Sequence, residues 1–317
     1  MKVFISGGCG QVGSHVAEMF IERGDKVLAV DNFETGRRLH LPDENENLTF
    51  VKGSISDKPL VDRLFAEFKP DIVVHTAVSY KDPEDWYNDC LTNAAGGAAL
   101  IRASMDNNVK RFIYFQTALC YGIDPVESPI TLNHPILPDN SSYSISKTPT
   151  EQYLKLSGLD YVSFRLANVV GPRNVSGPVP IFYERLKAGK KCFVTEARRD
   201  FVFVKDLANN VIKAADGAGK GEYNFSSGTD VPIIELYDAM VKAMRINVYP
   251  EPDVRPLGDD DVASILIDPS KTFEDFGNIE FTPLETIVAE AVAYFDEFGV
   301  HGGYTHLKHE EAKDDAK

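Results

Sequence analysis

Tyr143 and Lys147 stand four residues apart, in the segment Ser142-Tyr143-Ser144-Ile145-Ser146-Lys147. Residues at this spacing share one face of a helix, so a helix here would place a phenol beside an ammonium group. A nearby ammonium favours the phenolate, and we therefore expect the Tyr143 pKa to fall from about 10 towards neutrality. Such a tyrosine can take a proton from an alcohol while hydride leaves the same carbon. The spacing of Tyr143 and Lys147 is by itself weak evidence for a catalytic pair, because two residues on a surface helix have the same spacing by chance.

Thr117 follows a predicted strand, in the segment Gln116-Thr117-Ala118-Leu119-Cys120-Tyr121-Gly122. Its hydroxyl could hydrogen-bond the oxygen of the reacting alcohol, which makes it the third catalytic candidate. Cys120 lies three residues further on and could act as an acid or base if its thiol pKa were shifted. A packed thiol is the favoured interpretation, because a small apolar residue usually fits a strand end. Cys120 is kept as a candidate contact of the substrate.

The chain opens with a strand that runs directly into Gly7-Gly8-Cys9-Gly10-Gln11-Val12-Gly13, and an amphipathic helix follows. In a GxxGxxG pattern of this kind, one glycine permits the tight turn and one lets the backbone approach a pyrophosphate. The remaining glycine lets helix and strand pack closely. The helix N-terminus then presents unpaired N–H groups to the phosphates. Three glycines at this spacing are by themselves weak evidence for a dinucleotide site. Their position between a strand and a helix, however, predicts such a site.

Asp31 ends the second predicted strand. A carboxylate at this position accepts hydrogen bonds from the adenosine ribose hydroxyls and repels a 2′-phosphate, so it favours NAD over NADP. The alternative is a strand-end aspartate that starts a turn at Asp31-Asn32. Arg37 and Arg38 follow closely and could tolerate a phosphate, yet NAD stays the preferred cofactor. The positive charge of an oxidised nicotinamide would also push the Tyr143 pKa down.

Short β-rich runs alternate with helical patterns through the first half of the chain. The strand candidates are residues 3–5, 27–30, 48–51, 72–74 and 112–115, and helical patterns cover 12–23 and 60–68. Apolar strands that alternate with helices indicate a parallel sheet covered on both faces. We therefore predict an α/β fold with a doubly wound parallel sheet, whose ligands bind beyond the carboxyl ends of the strands.

The second half is less regular and contains proline- and glycine-rich stretches at residues 122–141, 171–178 and 249–261. Long loops in a compact domain are usually functional or disordered. We predict a dinucleotide-binding Rossmann domain over residues 1–165. A smaller C-terminal α/β domain over residues 166–300 would mainly bind the substrate and return segments to the first domain. A charged tail over residues 301–317 would complete the chain.

The excess of acidic over basic side chains limits the classes of partner that the protein can bind. The 317 residues carry 33 basic and 48 acidic side chains, a net charge of −15, which disfavours nucleic acid and anionic membrane surfaces. No run of 18 apolar residues predicts a membrane span, and the first residues do not form a signal peptide. Cys9, Cys90, Cys120 and Cys192 match neither a metal-binding spacing nor a compact disulfide framework. We therefore expect reduced thiols, a cytoplasmic location and no metal site.

Together these motifs resemble the extended short-chain dehydrogenase/reductase family, in its NAD-dependent nucleotide-sugar epimerase/dehydratase branch. The glycine turn is similar to the family's GGxGxxG, and Thr117, Tyr143 and Lys147 occupy its catalytic positions. The segment Asp31-Asn32-Phe33-Glu34-Thr35-Gly36-Arg37-Arg38 resembles the family's DNxxTGRR motif, His75-Thr76-Ala77 resembles its HxA motif, and Thr92-Asn93 resembles its TN motif. The segment Arg165-Leu166-Ala167-Asn168-Val169-Val170-Gly171-Pro172-Arg173 resembles its RxxNVYGPR motif. The segment Arg199-Asp200-Phe201-Val202-Phe203-Val204 resembles its RDFVYV motif. The likeness is closest to epimerases encoded in O-antigen operons of lipopolysaccharide.

The resemblance, added to the residues above, predicts the contacts of cofactor and substrate. The predicted cofactor contacts are Gly7, Gly10, Gln11, Val12, Gly13, Asp31, Asn32, Ser54, Ile55, Thr76, Ala77, Asn93, Tyr143 and Lys147. The resemblance implies that Asn168 touches the substrate and that Arg199 and Arg255 hold a nucleotide diphosphate, although Leu257 interrupts the family's RPGD motif after Arg255. Ser79, Tyr80 and Lys81 are further candidates facing the sugar, with an exposed polar loop as the equal alternative. The resemblance also implies a homodimer built on a four-helix bundle.

The two residues after Thr117 separate the reaction types. Dehydratases of this branch carry Asp-Glu there, whereas this chain has Ala118 and Leu119. Eliminating water needs an acid and a base, which neither side chain supplies. We therefore predict an NAD-dependent nucleotide-sugar epimerase that acts through a transient 4-keto sugar, in surface polysaccharide or glycoside biosynthesis. A 4,6- or 5,6-dehydratase is the alternative, and a carbonyl reductase or a non-catalytic NAD-binding regulator ranks below it.

Overall fold

The structure, a computed structural model, describes residues 1–139, 141–257 and 262–303. Its strands in chain order are β1 (Lys2–Ser6), β2 (Lys26–Asp31), β3 (Leu48–Lys52), β4 (Ile72–His75), β5 (Arg111–Thr117), β6 (Tyr161–Leu166), β7 (Asn168–Val170), β8 (Phe193–Thr195), β9 (Arg198–Arg199), β10 (Phe201–Phe203), β11 (Gly221–Phe225), β12 (Val231–Pro232), β13 (Asp253–Arg255) and β14 (Ser264–Ile265). Its helices are α1 (Gln11–Glu22), α2 (Lys58–Phe68), α3 (Trp86–Asp89), α4 (Gly97–Asp106), α5 (Ser142–Ser157), α6 (Pro178–Lys187), α7 (Val204–Ala215), α8 (Ile233–Ala243), α9 (Ser270–Phe276) and α10 (Leu284–Phe298). A π-helical segment, Cys90–Gly96, joins α3 to α4.

Within the described residues, seven parallel strands form the main sheet in the order β11-β6-β5-β4-β1-β2-β3. The predicted strands correspond to β1 to β5, and the two predicted helices correspond to α1 and α2. From β1 the chain runs first to one edge of the sheet and then, from β4, to the other. The predicted doubly wound α/β fold is therefore confirmed. The strand order reverses between β1 and β4, where a crevice for ligands opens at the carboxyl ends.

Helices cover both faces of the main sheet, because its strands send apolar side chains alternately to each side. Val3 and Ile5 of β1 belong to the same apolar layer as α1 and α7. Phe4, which lies between them in the chain, packs in the layer of α2 and α4 on the other face. Successive side chains of a strand point to opposite faces, so a sheet covered twice needs the nearly continuous apolar strands seen here.

A smaller α/β region is built around α6, α8 and α10, which share an apolar cluster that includes Phe182, Leu236 and Phe295. Short strand pairs, β7 with β10 and β8 with β13, border this cluster. Two elements that follow residue 165 pack with the cofactor-binding region instead. They are β11, which pairs with β6, and α7, which packs on α1.

The helix that carries Tyr143 is fastened to the sheet by a buried ion pair. Arg165 of β6 donates to both carboxylate oxygens of Glu151 on α5, from Nη2 to Oε1 at 2.6 Å and from Nε to Oε2 at 3.2 Å. Each side chain is only 3% exposed. Ser163 donates to Glu151 Oε2 at 2.7 Å, and Arg165 Nη1 donates to the Tyr121 hydroxyl at 2.8 Å. Both buried charges therefore have additional hydrogen-bond partners.

Pro149 lies inside α5, which runs without a break through it. A proline within a helix removes one backbone hydrogen bond and costs about 3 kcal/mol. The missing bond would reach the carbonyl of Ile145, a residue on the solvent-facing side of the helix that is 51% exposed. The lost hydrogen bond therefore lies on the face of α5 that points away from the main sheet, and the contacts of the helix with the sheet are kept.

We expect Glu151→Gln to lower the free energy of unfolding by about 3–5 kcal/mol, because it leaves the Arg165 charge buried without its partner. Chemical denaturation followed by circular dichroism measures this loss. The matched control is Asp62→Asn, which removes the carboxylate of the exposed pair between Lys58 and Asp62 on α2. A pair in solvent contributes less than about 1 kcal/mol. Equal losses in the two variants would contradict the stabilising role of the buried pair.

Candidate active site

Two connected cavities open at the carboxyl ends of the central strands. The smaller one, of about 140 Å³, is lined by the glycine turn, Asp31 and the residues after β3. The larger one, of about 760 Å³, is lined by Thr117, Tyr143 and Lys147 on one side and by α6 and β9 on the other. Five residues line both cavities, and they are Gln11, Val12, Thr76, Val78 and Tyr80. The two cavities are therefore parts of one continuous cleft.

The glycine turn packs so tightly that two of its positions leave no room for a side chain. A Cβ atom on Gly13 would lie 2.2 Å from the carbonyl oxygen of Gly7 and 2.7 Å from Oγ1 of Thr76. Gly7 has φ = +69°, and a Cβ there would lie 2.7 Å from the backbone nitrogen of Ala77. Thr76 donates from Oγ1 to the carbonyl of Ser6 at 2.6 Å. These contacts bring the N-terminus of α1 against the cleft, where its N–H groups can bind phosphates.

Asp31 lines the smaller cavity and is fixed by the backbone around it. Its carboxylate accepts hydrogen bonds from the N–H groups of Cys9 at 2.9 Å and Phe33 at 2.8 Å. Burial raises the Asp31 pKa, and these backbone hydrogen bonds oppose the rise. A Cβ on Gly36 would lie 2.8 Å from both carboxylate oxygens, so the following turn closes over the group. The carboxylate is thus held where a ribose would meet it.

The guanidinium groups of Arg37 and Arg38 both donate hydrogen bonds to backbone carbonyls. Arg37 Nη1 donates to the carbonyl of Phe298 at 3.4 Å. Arg38 donates to the carbonyls of Leu41 and Pro42, each at 2.9 Å. Neither arginine lines the smaller cavity. Among the described residues the arrangement around Asp31 therefore favours a ribose with free hydroxyls over one with a 2′-phosphate, as the sequence predicts.

The remaining polar groups at the junction of the cavities suit a dinucleotide. The predicted contacts Asn32, Ser54, Ile55, Thr76 and Ala77 all line the smaller cavity. Two buried side-chain atoms at the junction, Gln11 Nε2 and Asn174 Oδ1, have no hydrogen-bond partner in the described part of the chain. One is a donor and the other an acceptor, and both residues line the cleft. Buried polar atoms of this kind are normally paired, so a polar ligand such as a ribose or phosphate fits here.

Thr117, Tyr143 and Lys147 are brought together on the wall of the larger cavity. Tyr143 stands in the first turn of α5 and lines this wall together with Thr117 at the end of β5. Lys147 places its ammonium 4.3 Å from the centre of the Tyr114 ring, and the Tyr114 hydroxyl donates to the Lys147 carbonyl at 2.8 Å. The three candidate catalytic residues therefore share one site, as the sequence predicts.

The predicted fall in the Tyr143 pKa is not produced by the protein groups. Burial raises the Tyr143 pKa well above that of a free phenol, the nearby Tyr80 raises it further, and the hydrogen bond from Thr117 lowers it. Burial also lowers the Lys147 pKa to about 7, and Glu151 partly opposes this fall. The expectation was wrong because it counted the charge of Lys147 and left out the cost of burying both groups.

Two predicted contact residues, Ser79 and Asn93, are hydrogen-bonded to each other and line neither cavity. Asn93, in the π-helical segment, accepts from the backbone N–H of Ser79 and donates to its carbonyl, both at 2.8 Å. It also donates to Oγ of Ser146 at 2.9 Å. Asn88 donates to the Ser79 hydroxyl at 3.0 Å. The polar groups of Ser79 and the amide of Asn93 are thus paired within the chain, and a contact of either residue with a ligand stays a prediction.

Cys120 is corrected. Its side chain is fully buried in a cluster with Ala118, Tyr121 and Ile130, and it does not line the larger cavity. Burial raises the Cys120 pKa to about 12, so the thiol stays protonated near neutral pH. Cys120 is therefore a packed thiol, as the favoured sequence interpretation has it. Leu119, which precedes it, does face the cavity.

The three remaining substrate candidates differ in their placement. Asn168 and Arg199 line the larger cavity, and Arg199 Nη1 donates to the carbonyls of Arg198 at 2.8 Å and Val262 at 2.6 Å. Arg255 does not line the cavity. Its guanidinium lies 4.5 Å from the centre of the Phe193 ring and donates to Asp253 at 3.0 Å. Phe193 itself lines the cavity, so Arg255 supports that wall from behind.

The structure adds a cavity residue, Asp89, that the sequence prediction missed. Asp89 lines the larger cavity, is buried, and has one carboxylate oxygen, Oδ1, with no partner in the described part of the chain. Burial raises its pKa. Its position four residues before Asn93 is a signal that would have placed it on the inner face of that helical stretch. Tyr80, a candidate already identified from the sequence, lines both cavities, and its ring centre lies 5.5 Å from that of Tyr143.

The described part of the chain, residues 1–139, 141–257 and 262–303, contains no group of three or more histidine, cysteine or acidic residues arranged to hold a metal ion. None of its helices has the length and apolar character that crossing a membrane requires. Cys9, Cys120 and Cys192 are buried and Cys90 is exposed, all four as free thiols.

Comparisons with known proteins agree with this geometry. The sequence pattern of the NAD dependent epimerase/dehydratase family matches residues 3–225. The chain is 65% identical to the Bordetella bronchiseptica enzyme WbmH, solved with NAD+, with a TM-score of 0.93 over 94% of this chain and 99% of that one. It is 40% identical to WbmG of the same organism, solved with NAD and UDP (TM-score 0.87, 96% and 97% covered). It is 30% identical to a UDP-glucose 4-epimerase of Thermotoga maritima, solved with UDP-glucose (TM-score 0.86, 94% and 99% covered).

We expect Asp31→Asn to raise the dissociation constant for NAD about tenfold to a hundredfold, since it weakens charged hydrogen bonds to the ribose. The same change should tighten binding of NADP, because it removes the charge that repels a 2′-phosphate. Isothermal titration with both dinucleotides measures the two constants. Asp43→Asn is the control, because Asp43 is exposed and lies outside both cavities. An unchanged ratio of the two constants in Asp31→Asn would show that the carboxylate does not select the cofactor.

Proposed function

The chain belongs to the NAD dependent epimerase/dehydratase family, and from that premise we propose that it is an NAD-dependent nucleotide-sugar epimerase that inverts C4 of a UDP-hexose. A transient 4-keto sugar is the intermediate. The proposal rests on one observation. Thr117, Tyr143 and Lys147 line the larger cavity, which is continuous with the cavity proposed to bind the dinucleotide. The choice of UDP is supported by relatives that were solved with UDP or UDP-glucose.

Each catalytic candidate has one task in this proposal. When bound, NAD supplies a group that accepts hydride from C4 and later returns it. Tyr143 takes the proton of the 4-hydroxyl during oxidation and gives it back during reduction, so the product has the mass of the substrate. Thr117, which lines the same cavity as Tyr143, orients the reacting oxygen. Lys147 contributes positive charge one helical turn away and would hold the nicotinamide ribose.

The surroundings of Thr117 support epimerisation over loss of water. Ala118 and Leu119 both line the cavity directly after it. Neither side chain can protonate a leaving hydroxyl or remove a proton from C5. An epimerase needs no such pair, because the keto sugar turns over and hydride returns to the same carbon. Arg199, on the opposite wall, would anchor the diphosphate while the sugar turns.

We also propose a homodimer that pairs through α4 and α5. Ile145, Tyr153 and Leu156 form an exposed apolar stripe along α5, and Met105 is exposed on the neighbouring α4. Large side chains exposed in a row mark an interaction surface. A two-fold axis would bury the same stripe of both copies. Pro149 lies between Ile145 and Tyr153 on this stripe, where its missing N–H disturbs no partner.

The setting of the reaction completes the proposal. The four free thiols support a reducing, cytoplasmic location. The net charge of −15 supports the absence of nucleic acid among the partners. A glycosyl transfer reaction that builds a surface polysaccharide, such as lipopolysaccharide, would consume the product. The likeness of the motifs to O-antigen epimerases supports that role.

We expect the purified protein to convert UDP-glucose or UDP-N-acetylglucosamine to its C4 epimer without added cofactor, with no change in mass. Tyr143→Phe should lower kcat about a hundredfold to ten-thousandfold, since it removes the proton acceptor, while bound NAD remains. NMR and mass spectrometry of the products measure both effects. Tyr87→Phe is the control, an exposed tyrosine outside both cavities. A product lighter by one water would establish the dehydratase instead, and full turnover by Tyr143→Phe would refute the assigned base.

We expect Leu156→Glu to convert the dimer to a monomer, because it places a charge in the apolar stripe of both copies. Light scattering coupled to size-exclusion chromatography measures the mass in solution. Val126→Glu is the matched control, because Val126 is 81% exposed and Leu156 is 82% exposed. A wild-type monomer, or a dimer that survives Leu156→Glu, would rule out α5 as the interface.

A further inference from the structure

The loop at residues 171–177, between β7 and α6, crosses from the substrate-binding side to the cofactor side, and we call it the strap. We propose that the strap retains the dinucleotide, so that its contacts to α1 and Tyr80 must break before NAD can leave. The inference rests on the cofactor assigned in the proposed function. Three consecutive strap residues form the wall where the two cavities join. Val175 lines the smaller cavity, and Asn174 and Ser176 line the larger one.

The first anchor of the strap is Arg173. Its guanidinium donates to Oγ of Ser14 at 3.0 Å and to Oε1 of Glu18 at 2.6 Å, and both partners belong to α1. Arg173 has φ = +65°, a conformation that costs energy for a residue with a side chain. The two hydrogen bonds help to hold it there. The strap is therefore fastened to the same helix whose N-terminus faces the phosphates.

The second and third anchors lie inside the cleft. Asn174 donates from Nδ2 to Oε1 of Gln11 at 3.2 Å, which leaves Gln11 Nε2 and Asn174 Oδ1 for a ligand between them. Ser176 Oγ and the Tyr80 hydroxyl lie 3.1 Å apart and share a hydrogen bond. Tyr80 in turn contacts the ring of Tyr143. These two links span the cleft on either side of the point where its cavities join.

The ends of the strap tie it to the substrate side. Gly171 has φ = +137° and Gly177 has φ = +77°, so both ends use backbone conformations that favour glycine. Gly177 directly precedes α6, and Ile181 and Arg185 of that helix line the larger cavity. A nucleotide diphosphate bound against α6 would restrain the strap. Coupling of this kind is reciprocal, so binding of UDP should slow the release of NAD.

Retention has a chemical purpose in the proposed reaction. Oxidation of the sugar moves two electrons and a proton, as hydride, to the cofactor and leaves a ketone. The second half of the reaction needs that same reduced cofactor to convert the ketone back to an alcohol. A cofactor that exchanged between the two halves would leave the keto sugar behind. A strap that closes the cleft prevents this loss.

Release of NAD is measured by loading the protein with labelled NAD and chasing it with an excess of unlabelled NAD. Glu18→Gln should speed release about two- to five-fold, the effect of losing a partly exposed ion pair. Glu18 lines neither cavity, so the substitution removes a strap contact without removing a group from the cleft wall. Glu22→Gln is the matched control, because Glu22 lies one turn along α1 and is exposed. Equal release rates for Glu18→Gln and Glu22→Gln would overturn the proposal.

A second pair of variants tests the cleft anchors. Tyr80→Phe and Ser176→Ala remove the same hydrogen bond from opposite sides, so each should speed release and the double variant should be no faster than either. Addition of UDP should slow release from the wild type and have less effect on these variants. Independent, additive effects, or UDP that slows all variants equally, would contradict the strap. Because these assays follow cofactor exchange alone, their failure is distinguishable from absence of epimerase activity.

Discussion

The burial of Lys147 is the constraint on which the rest of the site depends. An ammonium removed from water tends to lose its proton, and burial lowers the Lys147 pKa to about 7. Glu151, one helical turn further along α5, opposes this loss. Glu151 is itself held by Arg165 and Ser163 of β6, and Arg165 by the hydroxyl of Tyr121. The charge at the active site therefore depends on a chain of buried polar contacts that reaches the main sheet.

The same burial determines how Tyr143 can act as a base. The protein groups keep its phenol protonated, since burial and the nearby Tyr80 both raise its pKa. The opposing group within the chain is the hydroxyl of Thr117. A fixed positive charge beside the phenol is what an oxidised nicotinamide would add. Ionisation of Tyr143 is then tied to the oxidised cofactor, which is the state in which the proposed reaction needs a base.

Much of the fold and the cofactor cleft could be predicted from the sequence, because both follow from local rules. The strand and helix periods predict the parallel sheet, and parallel strands bring Gly7, Asp31, Thr76 and Thr117 to one edge. The error concerns Cys120, whose side chain is fully packed within the chain, while Ser79 and Asn93 have internal hydrogen bonds that the sequence does not reveal. Residue type and spacing do not reveal which neighbour takes a hydrogen bond. The strap was missed for the same reason, since Arg173 meets α1 across more than 150 residues.

The lining of the larger cavity explains how one site could serve both faces of a sugar. Side chains such as Phe115, Leu166 and Ile265 contact a ligand without requiring one orientation, because dispersion contacts are weakly directional. In the proposed function the directional groups are Arg199, which would bind the diphosphate, and Thr117 and Tyr143, which would bind the reacting oxygen. A sugar anchored through its diphosphate could then turn between two poses of similar energy. A cavity rich in hydrogen bonds to one pose would hold the ketone in that pose and return hydride to the face it left. The apolar wall at Ala118 and Leu119 therefore serves epimerisation in two ways, since it supplies no acid or base for elimination and leaves the ring free to turn.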